Sequence, residues 1–259
     1  MPLAADAWHS PAGEAPLEDY LATLDAAGIG RAVLAAASLY GDYNDYMIAA
    51  VRAHRRLRAT AIVDPATDPY VLRQMRDDGI VGVRFQWRPL AQHPDLDSWE
   101  YRKLLRRIAD LGWHVQLHDE GPRLPDAIAR IEASGAILVI DHFGRPDPRL
   151  GVDCPGFQAV LRAVERGRCW VKLSGAFRIG PPELVDSLAQ ALLHHAGPER
   201  LLWGSDWPFV AHEGAVDYAA TLATFERLVP RSDQRDAIHR TASRLYFGDD
   251  GNVTTGTSR

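Results

Sequence analysis

Short runs rich in Val, Ile and Leu recur along this chain, and the segments between them space their apolar residues three or four apart. The runs are brief and β-branched, so they read as strands buried on both faces of a sheet. They fall at 31–38, 57–63, 80–86, 113–118, 136–142, 169–174 and 200–206. The intervening segments read as helices. Tyr101, Leu104, Leu105, Ile108 and Leu111 make one apolar stripe, started by Asp97 or Ser98 and closed by Gly112. Phe157, Val160, Leu161 and Val164 make a second, between Pro155 and Gly167, and Leu184, Val185, Leu188 and Leu192 make a third, ending at Gly197. Helices are also expected over 17–27 and 45–54.

Alternating strands and helices imply a parallel sheet in an α/β fold. The loop after the first strand is Leu39-Tyr40-Gly41-Asp42-Tyr43-Asn44, which has no glycine-rich turn to cradle a pyrophosphate. That favours a (β/α)8 TIM barrel over an open doubly wound sheet. Seven strands are found where a barrel needs eight. The chain opens on a loop and then the 17–27 helix, so the first strand is the one expected to be missing. Residues 1–248 read as a single barrel domain, and the polar 249–259 tail as disordered.

Composition narrows the class. The 259 residues are 46% hydrophobic and 24% charged, ordinary for one large-core domain. A net charge of −5 gives no bias toward nucleic acid or an anionic membrane. Cys154 and Cys169 form no disulfide or metal pattern, and no leader or membrane-length apolar run is visible. A cytoplasmic protein acting on a small molecule is expected.

In a barrel the C-terminal strand ends all open on one face, where the chemistry is kept. Those ends offer Ser38 with Tyr40, Asp64, Arg84 with Arg88, His118 with Asp119, His142 with Arg145, Ser174 with Arg178, and Asp206. His118, His142 and Asp206 suit a divalent metal, because neutral imidazole and carboxylate are zinc ligands. Asp206 could equally be a general base or a helix cap. Arg84, Arg88, Arg145 and Arg178 suit an anionic substrate, since guanidinium grips carboxylates bidentately. Each could instead form a rim salt bridge with Asp119, Asp141 or Asp147, and Arg145, in a tight Gly-Arg-Pro turn, fits that reading best. Ser174 lacks a nucleophile elbow. Lys172 is expected to face outward rather than to form a Schiff base. Tyr40 and Asn44 could bind substrate or start the helix at 45–54. His93, His194, His195, His212 and His239 are expected on the surface.

Several of these stretches resemble one family. They are Trp113-His114-Val115-Gln116-Leu117-His118, Val139-Ile140-Asp141-His142-Phe143-Gly144-Arg145-Pro146, Val171-Lys172-Leu173-Ser174-Gly175 and Trp203-Gly204-Ser205-Asp206-Trp207-Pro208. Val63-Asp64-Pro65, Gly82-Val83-Arg84-Phe85 and Ser38-x-Tyr40-Gly41 add to them. Together they resemble the amidohydrolase superfamily, in the amidohydrolase-related branch of the 2-pyrone-4,6-dicarboxylate lactonases. The resemblance spans about residues 15–248. It implies a hydrolase opening a lactone, with Asp206 as general base and His142 polarising the substrate. It puts Arg84, Arg88 and Arg178 on substrate carboxylates, with Ser38 and Tyr40 beside them. It makes His118 a metal-ligand position, which moves the chain toward one zinc-like divalent ion, although the pyrone lactonases can act without metal. It also implies that a homo-oligomer is possible.

One departure stands out. The superfamily's first strand ends in His-x-His, and that motif is absent here; His9 is isolated. The missing strand and the missing ligands are one gap, and a stretch of roughly 20 residues upstream would account for both. The alternatives are a metal-dependent decarboxylase of the same superfamily and a non-catalytic or truncated barrel.

Overall fold

The computed structural model describes residues 2–11 and 13–248; the tail expected to be disordered lies outside the described residues. Seven strands lie side by side in chain order: β1 (Ala32–Leu34), β2 (Leu57–Ala61), β3 (Ile80–Gln86), β4 (His114–His118), β5 (Ile137–Ile140), β6 (Cys169–Ser174) and β7 (Leu201–Gly204). Every neighbouring pair is parallel. The helices α1 (Leu17–Ala26), α2 (Asp45–Ala53), α3 (Pro69–Asp78), α4 (Trp99–Asp110), α5 (Leu124–Ala133), α6 (Pro155–Glu165), α7 (Pro182–Ala196), α8 (Tyr218–Leu228) and α9 (Ser232–Phe247) complete the repeat. This is the α/β barrel architecture expected, with seven strands. An eighth strand between β7 and β1 is not among the described residues. None of the described helices is long and apolar enough to cross a membrane.

The local signals act as read. Ser98 Oγ accepts the Tyr101 amide at the start of α4, which buries Leu104, Leu105 and Ile108. Pro155 opens α6, which buries Phe157, Val160, Leu161 and Val164. The strands are shorter than expected, β1 most of all. Beyond Leu34 side chains replace the ladder: the Ala36 amide donates to Thr60 Oγ1 (3.2 Å), and Ala36 O accepts from Arg84 (2.6 Å).

The two faces of the sheet differ. On β4, Val115 and Leu117 join the apolar core under the helices. His114, Gln116 and His118 alternate with them on the other face, as period 2 requires. The same alternation puts Arg84, Lys172 and Ser174 inside, where they line a cavity of about 620 Å³. The strands are buried on both faces as expected, but the inner face mixes these polar side chains with an apolar cluster of Val139, Leu202 and Tyr246. The cavity runs along the unpaired edges of β1 and β7, from Gly28 and Phe247 to the strand tips at His118 and Asp206.

Candidate active site

The backbone at the strand tips is held in uncommon conformations. His142 (φ 50°), Arg145 (φ 41°) and Asp206 (φ 63°) are left-handed without being glycine. Such residues cost about 1–3 kcal/mol each and persist where the surroundings enforce them, often at functional sites. Gly175 makes room for one of them. A Cβ there would sit 2.7 Å from His142 Nδ1, so only glycine admits the ring.

Asp141 is the floor of the site. Its carboxylate accepts Arg84 Nε (3.2 Å) and NH2 (3.0 Å) from β3, and Gln116 Nε2 (2.9 and 3.0 Å) from β4. Lys172 Nζ on β6 lies 3.2 Å from Oδ1. Burial alone would raise the Asp141 pKa, but Lys172 and Arg84 outweigh it and hold the carboxyl well below its usual range. Burial draws the Lys172 ammonium down, and Asp141 opposes that.

Two imidazoles stand above this floor. The rings of His118 and His142 meet edge to face with centroids 4.8 Å apart. His142 Nδ1 is 2.9 Å from Ser174 Oγ, and its Nε2 faces Asp206 Oδ1 at 3.7 Å. His118 Nδ1 lies 3.4 Å from Arg84, and its Nε2 is buried without a hydrogen-bond partner. Burial lowers both pKa values, and their mutual repulsion lowers that of His118 further. Both rings are therefore neutral near pH 7.

Asp206 forms the rim. Its Oδ2 accepts from Arg178 Nε at 2.5 Å. Arg88 donates to Glu120 (2.7 Å), and Arg145 Nε lies 3.5 Å from the same carboxylate with no hydrogen bond. Tyr40, Arg88, Arg145, Arg178 and Asp206 all line the cavity.

Most of the expected site residues thus converge, with corrections. Ser38 does not line the cavity: its Oγ accepts from Trp8, and its amide donates to Gln86. Arg84 lines it, but its N–H groups are aimed at protein partners, so the salt-bridge reading describes it. Asn44 bridges Asp42 and Ile62 rather than a ligand. Asp119 is buried against Arg123 and His93, and that histidine, expected on the surface, is partly exposed. Lys172 points inward, the reverse of the expectation, and Arg145 faces the cavity. The alternation Trp170-Val171-Lys172-Leu173-Ser174 was the available signal for Lys172. It places the lysine on the side of Ser174.

The carboxylate grouped with the imidazoles also differs from expectation. His118, Asp141 and His142 offer ligand atoms within 4.8 Å of one another, a candidate metal-binding group. Asp206, expected in that set, stands beside it. The two imidazoles suit a divalent ion, and the unpartnered His118 Nε2 favours one. Asp141 is the weak member, because Arg84 and Lys172 already take its charge.

Known proteins resemble this chain over most of its length. The family model described as Amidohydrolase matches residues 3–248. A 4-sulfomuconolactone hydrolase of Rhizobium radiobacter is 34% identical over 209 residues, covering 79% of this chain and 69% of the relative. A 2-pyrone-4,6-dicarboxylate hydrolase of Comamonas testosteroni is 32% identical over 223 residues, covering 80% of this chain and 72% of its own length. A solved structure from Acinetobacter baumannii, described as a "probable 2-pyrone-4,6-dicarboxylic acid hydrolase" with citric acid bound, superimposes with a TM-score of 0.90 at 27% identity, over 95% of this chain and 94% of that one. With the family model covering nearly all of the chain and its strand tips meeting around one polar cavity, this protein belongs to the amidohydrolase family and is a hydrolase.

Proposed function

We propose that this protein opens the lactone ring of a small di- or tricarboxylate resembling 2-pyrone-4,6-dicarboxylate. The observation that carries the reading is Asp206. One of its oxygens is pinned by Arg178, and the other faces both the cavity and His142. The named activities of the relatives support lactone opening, and the cationic rim supports an anionic substrate.

Asp206 takes a proton from water, and the hydroxide formed attacks the ring carbonyl. Neutral His142 meets the developing oxyanion. With Ser174 donating to Nδ1, its proton sits on Nε2 and points into the cavity. Collapse breaks the ring C–O bond, and the leaving oxygen takes up the proton held by Asp206. Arg178, Arg88 and Arg145 hold the substrate carboxylates at the mouth. One divalent zinc-like ion would be held by His118 and His142, with Asp206 as carboxylate; His142 would then carry its proton on Nδ1, donating to Ser174 Oγ, and leave Nε2 free as the ligand. Bound there, it would supply Lewis acidity toward the carbonyl oxygen.

A product assay on carboxylated lactones tests the reading. Ring opening yields a new carboxylic acid, which releases a proton at neutral pH, and no CO₂. Release of CO₂ would establish the decarboxylase alternative, and failure to turn over any carboxylated lactone would remove the proposal.

A further inference from the structure

We propose that Lys172 is the anion-binding floor of this pocket, receiving a carboxylate of the bound substrate at the depth where Arg84 was expected to act. The inference deepens the lactonase reading and rests on it for the identity of the substrate.

Arg84 has nothing left to offer. Its Nε and one NH2 hydrogen go to Asp141. Its NH1 group donates to Ala36 O (2.6 Å) and Gln86 Oε1 (2.8 Å), and the last NH2 hydrogen lies toward His118 Nδ1. A guanidinium has five N–H groups, and all five are engaged. Lys172 is the opposite case. An ammonium has three N–H groups. Among the described residues Asp141 is its one acidic group within ion-pair distance, with Asp206 acting on it from farther off, and no other hydrogen-bond acceptor is found for Nζ. Its side chain is 12% exposed and lines the cavity.

Charge points the same way. At the floor Arg84 and Lys172 face the single carboxylate of Asp141, so one positive charge is left unbalanced in a buried place. Such a charge is costly until an anion joins it. At the rim Arg88, Arg145 and Arg178 face Glu120 and Asp206, which again leaves one. Two unmatched cations at two depths select a ligand with two anionic groups, one held deep and one at the mouth.

The test uses isophthalate, an inert dicarboxylate, with calorimetric binding to the wild type and to Lys172→Met. Loss of a charge-assisted contact should weaken binding by about 10- to 100-fold. The KM for a dicarboxylated lactone should rise by a similar factor while kcat changes far less, the mark of lost ground-state binding. A lysine that only braced Asp141 would lower the melting temperature and leave isophthalate affinity at the wild-type value, and that result overturns the proposal.

A second measurement needs no variant. Lys103, exposed on α4, is the chain's other lysine and an internal control. In the wild type, saturating isophthalate should slow reductive methylation of Lys172 about 10-fold or more, because the reaction needs the unprotonated, accessible amine and a bound carboxylate keeps the group protonated and covered, and leave Lys103 unchanged. Equal rates with and without isophthalate contradict the assignment. The two readings fail separately. Isophthalate binding through Lys172 without lactone turnover sinks the lactonase reading alone. Lactone turnover with unchanged KM in Lys172→Met sinks the lysine alone.

Discussion

Asp141 and Asp206 both end barrel strands, and both face an arginine, yet they are built for different work. Asp141 is 3% exposed and takes hydrogen bonds or charge from three strands at once. Asp206 has a side chain 20% exposed, one arginine on one oxygen, and a second oxygen turned to the cavity. A saturated carboxylate holds the barrel together but has no lone pair free to move a proton. A half-engaged one at a strained turn can do so. The count of partners, more than the presence of a carboxylate, separates the brace from the base.

Replacing Asp141 should show the largest effect of the comparison. Asp141→Asn leaves Arg84 and Lys172 buried without a counter-charge. Breaking a buried ion pair from one side costs about 3–5 kcal/mol. Urea denaturation should record that loss, and a variant as stable as the wild type would mean that the floor is not a brace.

At the rim the effect should fall on binding instead. Arg178→Gln should raise the KM for a dicarboxylated lactone by about 10- to 100-fold, the range for losing a charge-assisted contact. Unchanged KM would show that the rim cations do not read the substrate's charge.

Acid should separate the two regions more gently. Burial, followed by the nearby Lys172, lowers the His114 pKa to about 3. Its T-shaped contact with Tyr246 places it deep in the barrel. Below pH 6.5 the unfolded chain binds a proton that folded His114 refuses. This stability is therefore full above pH 6.5 and is lost as pH falls from 6.5 toward 3. The loss is about 1.4 kcal/mol by pH 5.5. Denaturation of wild type and His114→Gln at pH 7.5 and 5.5 checks the sign: the variant should lose less on acidification.

Much of this was legible in the sequence. The seven apolar runs mark all seven strands, because outward-facing residues such as Val115, Leu117, Leu138 and Ile140 must be buried under helices. The tips were legible too, since parallel strands send their C-terminal ends to one face. Strand ends were less so. Nothing in Ala35-Ala36-Ala37 announces that Thr60 and Arg84 take over its backbone. Least legible was which charge is spent and which is free. Arg84 and Asp141 lie 57 positions apart. The Arg84 donors are exhausted only because Ala36, Gln86 and Asp141 happen to surround it. The same blindness hid Lys172, whose alternation with Ser174 was visible but whose single partner was not. Ser38 failed for a related reason, as Trp8 occupies its hydroxyl.

The sharpest test is kcat for hydrolysis of a dicarboxylated lactone by Asp206→Asn, measured beside its melting curve. Loss of the proton acceptor from a folded protein should lower kcat by about 10²- to 10⁴-fold. A folded Asp206→Asn protein that turns over at the wild-type rate would contradict the assignment of the base, and with it the division of labour between rim and floor.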